Sequence, residues 1–297
     1  MPTRFRNLSA TAMIWNGEIF LFDCGEGAQI QLQKAGLRPG RLQHIFISHF
    51  HGDHFYGLPG LLTSLQMAEC TQDVHLYGPE GLKSYIDFLS KISRFTLHYP
   101  LHFHEVSNDS QGEEWRYKDF KIICRPLRHR IRTLGWAFVE NTRPGKFDAD
   151  KAKELDIPVG PIRSRLQRNE SIELADGRII SPESVLDSAR PGHRFAYCLD
   201  TRPCAASVEL AKNADLLVHE ATFGSQDADS AKLSGHSTAK QAAQIAKEAG
   251  AERLGLTHIS SRYQINEIEG LEEESCKIFP RSFLARDLLR MKIEYKE

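Results

Sequence analysis

The sequence predicts a mixed α/β fold in which two sheets pack face to face and helices cover their outer sides. Apolar segments of strand length alternate with helical segments, but without the regular strand–helix–strand order of a single doubly wound sheet. Histidine and acidic residues recur just after the apolar strand segments. The chain has 297 residues, of which 41% are hydrophobic and 26% charged, so it can bury one large globular core.

The composition also narrows the function. The formal net charge is −1, so any contact with nucleic acid must come from local basic patches. The 6 cysteines are scattered without a CxxC pair, which is typical of a reducing compartment rather than of a disulfide framework. We find neither an apolar run of transmembrane length nor a signal-peptide pattern, and therefore expect a soluble, cytoplasmic protein without membrane contact.

The first half of the chain is predicted to begin with a β-hairpin. Asn16-Gly17 is a strong signal for a two-residue turn, and it separates the strands Thr11–Trp15 and Glu18–Phe22. The spacing of apolar residues predicts the elements that follow. These are helices at 27–35, 56–68 and 81–92, and strands at 44–48, 74–77, Leu101–Val106, Phe120–Pro126 and 134–139.

The composition changes between about residues 142 and 190. Prolines and charged residues are frequent here and apolar segments are few, so we interpret this stretch as an inserted flexible arm with a short helix at 148–155. We therefore treat the whole chain, 1–297, as a single domain that carries this arm.

The core is predicted to resume after the arm. Ser237 or Thr238 caps a helix that runs to residue 249, and Gly250 ends it. The other elements are strands at 194–200, 216–219 and Leu254–Thr257 and a helix at 206–213.

One short segment carries the strongest chemical signal. His49, His51, Asp53 and His54 place three imidazoles and one carboxylate close together in the chain. Zinc, manganese and iron all accept this set of nitrogen and oxygen ligands. Alternate residues at an extended strand end can face one metal, and the turn at Gly52 directs the next two elsewhere. A solvated loop is the ordinary alternative but does not explain such a density of ligands, so the segment predicts a two-metal hydrolytic site.

One cluster cannot complete two metal sites, so further ligands must come from elsewhere in the chain. His129, Asp200 and His258 each follow an apolar strand segment. Each of them alone would more often be a surface or capping residue, but together with the cluster they form a coherent ligand set. Asp200 suits a bridging position because one carboxylate can bind two cations at once.

These residues resemble the metal-binding motif of the metallo-β-lactamase superfamily. Further stretches resemble, more narrowly, the tRNase Z family of tRNA 3′-processing endonucleases, and the resemblance covers essentially the whole chain. These stretches are Phe22-Asp23-Cys24-Gly25-Glu26, Tyr56-Gly57-Leu58-Pro59-Gly60, Val218-His219-Glu220-Ala221-Thr222-Phe223, Gly235-His236-Ser237-Thr238 and Thr257-His258-Ile259-Ser260-Ser261-Arg262-Tyr263. The resemblance implies an αβ/βα sandwich, a dinuclear metal site and a homodimer.

The resemblance also implies the reaction, which is two-metal hydrolysis that removes the 3′ trailer from precursor tRNA and leaves a 3′-hydroxyl on the tRNA. Two divalent ions per chain are expected, with Zn²⁺ favoured and Mn²⁺ also suited to these ligands. The implied ligands are His49, His51 and His129 for one metal, Asp53, His54 and His258 for the other, and Asp200 between them.

For catalysis, the resemblance implies that Asp53 is also the general base. It further implies that His236, and Glu220 with His219, handle the proton of the leaving oxygen. An imidazole tuned by a neighbouring carboxylate can supply such a proton near neutral pH. The ordinary alternatives are that His236 is only a helix-cap neighbour and that Glu220 only pairs with a basic residue.

Substrate contacts are expected from local basic features. The loop at residues 2–7 resembles the family's PxKxRN loop, which reads the tRNA 3′ end, although arginine stands here in place of the usual lysine. The arm resembles the family's flexible arm that clamps the tRNA elbow. The ordinary alternatives are a frayed basic terminus and a solvated charged loop. The expected substrate-binding residues are Arg4, Arg6 and Asn7 in the loop, Gly160, Pro161, Arg163 and Arg165 in the arm, and Arg262.

Other positions depart from the family pattern. Arg130 occupies a position that is often glycine and Trp136 one that is often tyrosine, which changes the expected shape of the wall beside His129. The family begins with a strand and a glycine-rich turn, whereas this chain begins at Met1-Pro2, almost inside the PxKxRN-like loop. We therefore expect the first family strand to be missing or to lie upstream, and its absence would expose a sheet edge.

Two other functions stay open at this point. The first is a superfamily hydrolase of another ester, such as a thioester, a lactone or a cyclic phosphodiester, and the family-specific stretches argue against it. The second is an inactive RNA-binding or dimer-forming paralogue, and the complete set of expected ligands argues against that.

Overall fold

Two main sheets pack against each other in the computed structural model, which describes residues 2–295. The strands are β1 (Thr11–Trp15), β2 (Glu18–Phe22), β3 (Leu42–Phe46), β4 (Val74–Pro79), β5 (Leu101–Val106), β6 (Glu113–Arg116), β7 (Phe120–Pro126), β8 (Leu134–Glu140), β9 (Ile172–Glu173), β10 (Ile179–Ile180), β11 (Arg194–Cys198), β12 (Leu216–Glu220), β13 (Leu254–Thr257) and β14 (Ser282–Leu284). The α-helices are α1 (Ala28–Lys34), α2 (Gly52–Phe55), α3 (Leu58–Met67), α4 (Leu82–Ser93), α5 (Ala149–Glu154), α6 (Pro161–Gln167), α7 (Ala205–Ala211), α8 (Ala228–Ser234), α9 (Ala239–Ala249) and α10 (Ile265–Cys276).

The strand order places parallel strands at the centre of both sheets. The five-stranded sheet runs β1-β2-β3-β4-β5, and its strands from β2 onward are parallel. The seven-stranded sheet runs β14-β13-β12-β11-β8-β7-β6, with β11 to β14 parallel and β6, β7 and β8 antiparallel to their neighbours. The β1–β2 turn is at Asn16 and Gly17, both with positive φ, as a two-residue hairpin turn requires.

Three apolar layers hold the sandwich together. The layer between the sheets is aromatic and includes Phe20, Phe46 and Trp136, all fully buried. A second layer lies between the five-stranded sheet and α1, α3 and α4, and a third between the seven-stranded sheet and α7, α9 and α10. This arrangement confirms the predicted αβ/βα sandwich. Within residues 2–295, no helix has both the length and the apolar character needed to cross a bilayer.

The element order follows the sequence prediction, with differences at short or polar elements. Thr238 caps α9 through a capping box with Gln241, and Gly250 ends it in the left-handed conformation. The strand predicted at 44–48 instead begins at Leu42 and leaves the ladder after Phe46. Strands β6, β9, β10 and β14 and helices α2, α6, α8 and α10 were not predicted, because each is short or carries few apolar residues.

The stretch predicted as an arm forms a small unit with its own apolar cluster. Ala152, Leu166 and Val185 are fully buried in that cluster, which also contains residues of the β9–β10 hairpin. At its base the outgoing and returning chains pair through isolated antiparallel bridges, Arg143 with Arg190 and Phe147 with Leu186. The segment is therefore folded around its own side chains rather than around those of the main core.

Candidate metal centre

The candidate ligands meet because several strands end at the same site. Parallel strands present their carboxyl ends at one sheet edge, where the loops after them come together. In the five-stranded sheet, β3 leads into the histidine segment, and in the other sheet β7, β11 and β13 lead to His129, Asp200 and His258. Both sheets thus contribute side chains to one site.

The histidine segment changes from extended chain to helix within a few residues. His51 is extended, with φ −73° and ψ 139°, and it directly precedes α2. Asp53 and His54 therefore lie in the first helical turn, where the His54 N–H donates to the His51 carbonyl at 2.9 Å. Because of this turn, the side chains before Gly52 and those after it belong to two different groups of candidate metal ligands.

The first group contains three imidazoles and one carboxylate. Ligand atoms of His49, His51, His129 and Asp200 all lie within 4.8 Å of one another. Asp200 Oδ2 is 3.4 Å from His49 Nε2, 4.0 Å from His51 Nδ1 and 3.6 Å from His129 Nε2. These are nitrogen and oxygen donors of the kinds that zinc and manganese accept.

The second group is reached by the other oxygen of the same aspartate. Asp53, His54 and His258 have ligand atoms within 4.8 Å of one another. Asp200 Oδ1 lies 3.4 Å from His54 Nε2 and 3.3 Å from His258 Nε2. Asp200 and His258 both have left-handed backbones, with φ 45° and 56°, a strained conformation for these residues that points their side chains into the site. The two carboxylate oxygens of Asp200 thus face different ligand groups.

Hydrogen bonds to acceptors fix the tautomers of two of the imidazoles. His54 Nδ1–H donates to Asp23 Oδ2 at 2.7 Å, and His129 Nδ1–H donates to the Gly235 carbonyl at 2.8 Å. The Nε2 lone pair of each ring is therefore free to bind a cation, which is the usual arrangement of metal-ligating histidines.

Hydroxyl groups orient two more imidazoles in the same way. The Ser48 hydroxyl donates to Asp23 Oδ2 at 2.9 Å, so its oxygen can accept from His49 Nδ1–H at 2.9 Å. The Thr222 hydroxyl donates to a buried glutamate at 2.6 Å, so its oxygen can accept from His258 Nδ1–H at 3.0 Å. In both rings, Nε2 again faces the site.

The site contains buried polar atoms that protein groups do not satisfy. Among residues 2–295, His129 Nε2 and Asp200 Oδ1 are buried without a hydrogen-bond partner. Such atoms are rare in folded proteins because leaving them unpaired is costly. With bare imidazole nitrogens on both sides of one carboxylate, the residues fit a pair of divalent cations.

The electrostatics of the site favour the forms that bind metals. Burial lowers the pKa of His129 to about 4, which keeps its imidazole neutral. Burial opposes the charged form of Asp200, but the nearby His258 and His54 hold the pKa of that carboxyl well below its usual range. For His54, burial is outweighed by Asp200 and Asp23, which raise its pKa, so a cation at Nε2 must compete with a proton.

Asp23 is a supporting residue to which the sequence analysis assigned no role. It directly follows β2, is fully buried, and has φ 59°. Its carboxylate accepts from the Ser48 N–H at 2.7 Å and the Tyr197 hydroxyl at 3.0 Å, in addition to His54. The signal that could have found it is the one used for Asp200, an acidic residue directly after an apolar strand.

His236 and Glu220 form a pair beside the second ligand group. His236 Nδ1–H donates to Glu220 Oε1 at 2.9 Å, and this bond helps raise the pKa of His236 against the effect of burial. The fully buried Glu220 also accepts from the Thr201 and Ser237 N–H groups at 2.6 and 3.0 Å. The His236 ring stacks on His258 with centroids 5.5 Å apart, so the pair lies directly beside the second ligand group.

His219 is not brought to this site. It pairs in register with Cys198 and Leu256, both of which lie in the apolar layer under the outer helices. Its Nδ1–H donates to the Glu220 carbonyl at 2.7 Å, and its side chain is fully buried. Adjacent strand residues point to opposite faces, so Glu220 faces the site and His219 faces away from it.

The expected substrate residues near the N-terminus differ in their surroundings. Arg4 is exposed, whereas Arg6 donates to the carbonyls of Ser260 at 3.0 Å and Tyr263 at 3.3 Å. Asn7 donates through its side chain to Asp287 at 2.6 Å. Arg6 thus joins the N-terminal loop to the segment after His258, and Arg4 is the more available cation.

The expected basic residues of the arm and Arg262 already have protein partners. Arg163 donates to the Ile157 carbonyl at 2.6 Å, and Arg165 pairs with Glu170 at 3.1 Å. Arg262 pairs with Asp227 at 3.0 Å. Gly160 precedes α6 with a positive φ of 144°, a value that favours glycine. Pro161 is the first residue of α6. The exposed ion pairs of Arg165 and Arg262 are of a kind that contributes little to stability.

Family models match two parts of the chain. The beta-lactamase superfamily domain matches residues 183–259, and the anti-Pycsar protein Apyc1 model matches residues 5–133.

Proteins similar to the full chain are known. The ribonuclease Z of Acaryochloris marina is 43% identical over 298 residues, covering 99% of this chain and 94% of that protein. The ribonuclease Z of Methanosarcina acetivorans is 39% identical, covering 100% and 95%. The crystal structure of the short form of human tRNase Z matches with a TM-score of 0.71 and 29% identity, covering 99% and 95%. The metallo-beta-lactamase fold protein YhfI of Bacillus subtilis shares the fold, with a TM-score of 0.65 and 20% identity over 96% and 91%.

Proposed function

The chain belongs to the ribonuclease Z family, and from this membership we propose how its candidate metal centre removes the 3′ trailer from precursor tRNA. The activity is that of a tRNA 3′-processing endoribonuclease with the metallo-β-lactamase fold. The proposal extends this to a two-metal phosphodiester hydrolysis that leaves a 3′-hydroxyl on the tRNA. It rests chiefly on the two ligand groups that share Asp200.

We assign one cation to His49, His51 and His129 and the other to Asp53, His54 and His258, with Asp200 between them. Zn²⁺ is the favoured ion for these ligands, and Mn²⁺ suits them as well. When bound, two such cations neutralise charge on the phosphoryl oxygens and lower the pKa of the attacking water.

The side chains supply the proton transfers. The water oxygen bonds to phosphorus while the bond from phosphorus to the tRNA 3′-oxygen breaks. Asp53 takes the proton of the water, since its carboxylate is partly exposed at the site, 3.4 Å from His258 Nε2, and stays ionised because His258 and His54 lower its pKa against the effect of burial. His236, held by Glu220, gives a proton to the leaving 3′-oxygen, which becomes the new 3′-hydroxyl.

The direct test is cleavage of a precursor tRNA that carries a 3′ trailer, in the presence of Zn²⁺ or Mn²⁺. Mapping of the products should place one cut at the end of the acceptor stem, with a 3′-hydroxyl on the tRNA. His54→Ala, which removes a ligand, should abolish most of the activity and lower the metal content. No cleavage with either ion, or faster hydrolysis of a thioester, a lactone or a cyclic phosphodiester, would contradict the proposal.

We also propose that the arm binds a part of the tRNA remote from the cut. Its own apolar cluster lets it project as a unit, and the exposed pairs of Arg165 and Arg168 with Glu170 can be exchanged for phosphates. A shortened variant tests this role of the arm. In this variant, an Asn-Gly turn replaces residues 148–185 and joins Phe147 to Leu186, which already pair through a β-bridge.

The shortened variant should retain hydrolysis of bis(p-nitrophenyl) phosphate, because this small ester does not reach the arm. Its cleavage of precursor tRNA should fall strongly, since remote binding energy is lost. Equal losses on both substrates would show instead that the arm supports the fold or the active site.

We further propose that the enzyme is a cytoplasmic homodimer. The 6 cysteines are all unpaired, which suits a reducing compartment. Phe88 and Ile92 lie one turn apart on α4 and are 60% and 62% exposed, which gives a second copy an apolar surface. Light scattering should give twice the chain mass, and the single chain mass at micromolar concentration would rule the dimer out.

A further inference from the structure

The last described residues of the chain pass over the inter-sheet core toward the base of the arm. Met291 and Ile293 pack against the aromatic layer between the sheets. Asp287, earlier in this tail, accepts hydrogen bonds from the backbone and side chain of Asn7. The described part of the tail is thus held at several points and reaches, at Tyr295, the place where the arm leaves β8 and returns to β11.

Tyr295 lies between the two chains that form the base of the arm. Its ring stacks on His193, with centroids 3.9 Å apart and planes 15° from parallel. The Arg143 guanidinium lies over the same ring, 3.4 Å from its centroid. The Tyr295 hydroxyl donates to Glu140 Oε1 at 2.9 Å. One side chain therefore contacts both the outgoing residues, Glu140 and Arg143, and the returning residue, His193.

The base of the arm is otherwise joined by backbone hydrogen bonds and by side-chain bonds of Arg143, Arg190 and Glu140 to the facing chain. The Arg143 N–H donates to the Arg190 carbonyl at 2.8 Å, and the Glu140 N–H donates to the His193 carbonyl at 2.8 Å. A narrow two-stranded connection of this kind is marginal by itself. An aromatic ring stacked on one side by an imidazole and on the other by a guanidinium adds rigidity at the point where the arm would bend.

We propose that Tyr295 is a positioning residue that clasps the base of the arm and fixes the direction in which the arm meets the substrate. The proposal rests on the proposed function of the arm as a tRNA-binding element. It predicts that the tail affects the affinity for long substrates and not the hydrolytic step.

The test compares Tyr295→Ala, Tyr295→Phe and the matched control Lys292→Ala, whose side chain is exposed and pairs with Glu294 in the tail. Tyr295→Ala should raise KM for precursor tRNA roughly tenfold, equivalent to about 1.4 kcal/mol. Its kcat on the same substrate and its hydrolysis of bis(p-nitrophenyl) phosphate should stay within about twofold. Tyr295→Phe keeps the stack and should restore most of the affinity, and Lys292→Ala should behave as the unmodified protein.

A second readout does not depend on what the arm binds. Limited trypsin digestion should cut the arm faster in Tyr295→Ala than in Tyr295→Phe or Lys292→Ala, because a released base lets the arm open. If the shortened variant cleaves precursor tRNA normally, the proposed function of the arm fails, while the digestion still tests the clasp.

Unchanged KM together with unchanged digestion of the arm in Tyr295→Ala would overturn the inference. An equal loss on both substrates would also overturn it, because that result indicates a general structural role. Should Tyr295→Ala fail to fold, His193→Ala removes one face of the stack while leaving the tail in place. It should show the same rise in KM and the same faster cleavage of the arm, and the absence of both would count against the clasp.

Discussion

At the scale of single residues, the structure shows how each candidate ligand is held as well as where it lies. Asp23 accepts from His54 Nδ1–H, and Gly235 accepts from His129 Nδ1–H, so both rings present Nε2. Such partners raise ligand basicity and restrict ring rotation, and losing one typically weakens metal binding. The supporting residues are therefore as testable as the ligands.

Asp23→Asn should lower the affinity of one metal by about 10- to 100-fold, the usual effect of losing a partner of a ligating histidine. The amide can no longer hold the His54 Nδ1 proton by charge. A chelator competition titration would measure the affinity of both sites. Tyr197→Phe is the matched control, because it removes another donor to the same carboxylate and leaves the His54 bond intact. If both variants bind metal as the unmodified protein does, the orienting role of Asp23 is wrong.

His236→Ala should keep its metal content and its affinity for tRNA, while turnover falls by roughly 10²- to 10⁴-fold, the usual contribution of a positioned acid. The loss should be smaller for a substrate whose leaving group is a stable phenolate, since that group needs little protonation. Metal analysis and kinetics on both substrates would check this.

The geometry of His236 also allows a role as a metal ligand. One of its nitrogens lies within 4.8 Å of ligand atoms of Asp200 and His258, a spacing that a metal ligand could also have. If His236→Ala loses a metal ion, or slows good and poor leaving groups equally, the general-acid role is wrong. Glu220 is then the better candidate, because His219 points away from the site.

At the scale of elements, a row of aromatic and imidazole rings crosses the inner face of the five-stranded sheet. His44 on β3 stacks on Phe20 at 4.5 Å and on His75 at 5.1 Å between centroids, and its Nδ1 is 3.3 Å from the Tyr77 hydroxyl. His102 continues the row at the exposed end of the sheet, where it stacks on His75 at 4.9 Å. The row is part of the hydrophobic core, because its rings stack on one another and on aromatic side chains instead of pointing toward a common metal position.

This row makes the fold sensitive to acid. Burial, together with His75 and His104, lowers the pKa of His44 to about 3. Below the ordinary histidine pKa of about 6.5, the unfolded chain takes up a proton here and the folded chain does not. The free energy of unfolding therefore falls as the pH drops from about 6.5 toward 3, by at most about 1.4 kcal/mol per pH unit from this residue.

His44→Phe, which keeps the stack and removes the titration, should lose less stability on acidification than the unmodified protein. Urea unfolding at pH 7, 5.5 and 4.5 with chelator present would show the free energy of unfolding falling less steeply with acidification for His44→Phe than for the unmodified protein. His102→Gln is the control, because its side chain is 48% exposed at the edge of the sheet and its loss should change the dependence on pH less than His44→Phe does. Parallel curves for His44→Phe and the unmodified protein would contradict the prediction.

At the scale of the whole molecule, the candidate metals would join the two halves of the sandwich. His49, His51, Asp53 and His54 follow a strand of the five-stranded sheet, whereas His129, Asp200 and His258 follow strands of the other sheet. A cation bound by both sets links elements that are far apart in the chain, so metal binding and folding are coupled.

Removal of the metals by a chelator should lower the unfolding midpoint by roughly 8–16 °C for each ion, since saturation a thousandfold above Kd contributes about 4 kcal/mol per site and each kcal/mol shifts a large domain by ~2–4 °C. Calorimetry before and after addition of Zn²⁺ or Mn²⁺ would measure the loss and its recovery. His54→Ala should show a smaller shift, because one site is already weakened. A midpoint that does not respond to chelator or metal would count against a centre built from both sheets.

Local patterns in the sequence were sufficient to determine the alternation of strands and helices, the β1–β2 hairpin and the positions of seven candidate ligands. Apolar periodicity marks the longer strands, and a polar residue directly after a parallel strand lies at the sheet edge where such residues meet. The density of histidines from His49 to His54 has few other physical explanations, so these positions could be found without coordinates.

Only the tertiary structure decided the contacts that depend on strand order, register and side-chain direction. Asp23 supports His54 because β2 is the neighbour of β3, and His219 faces away because it alternates with Glu220 along β12. Tyr295 reaches His193 from the far end of the chain. Sequence spacing carries no information about such pairs, because they are set by how distant segments pack, and the same local pattern is compatible with many packings.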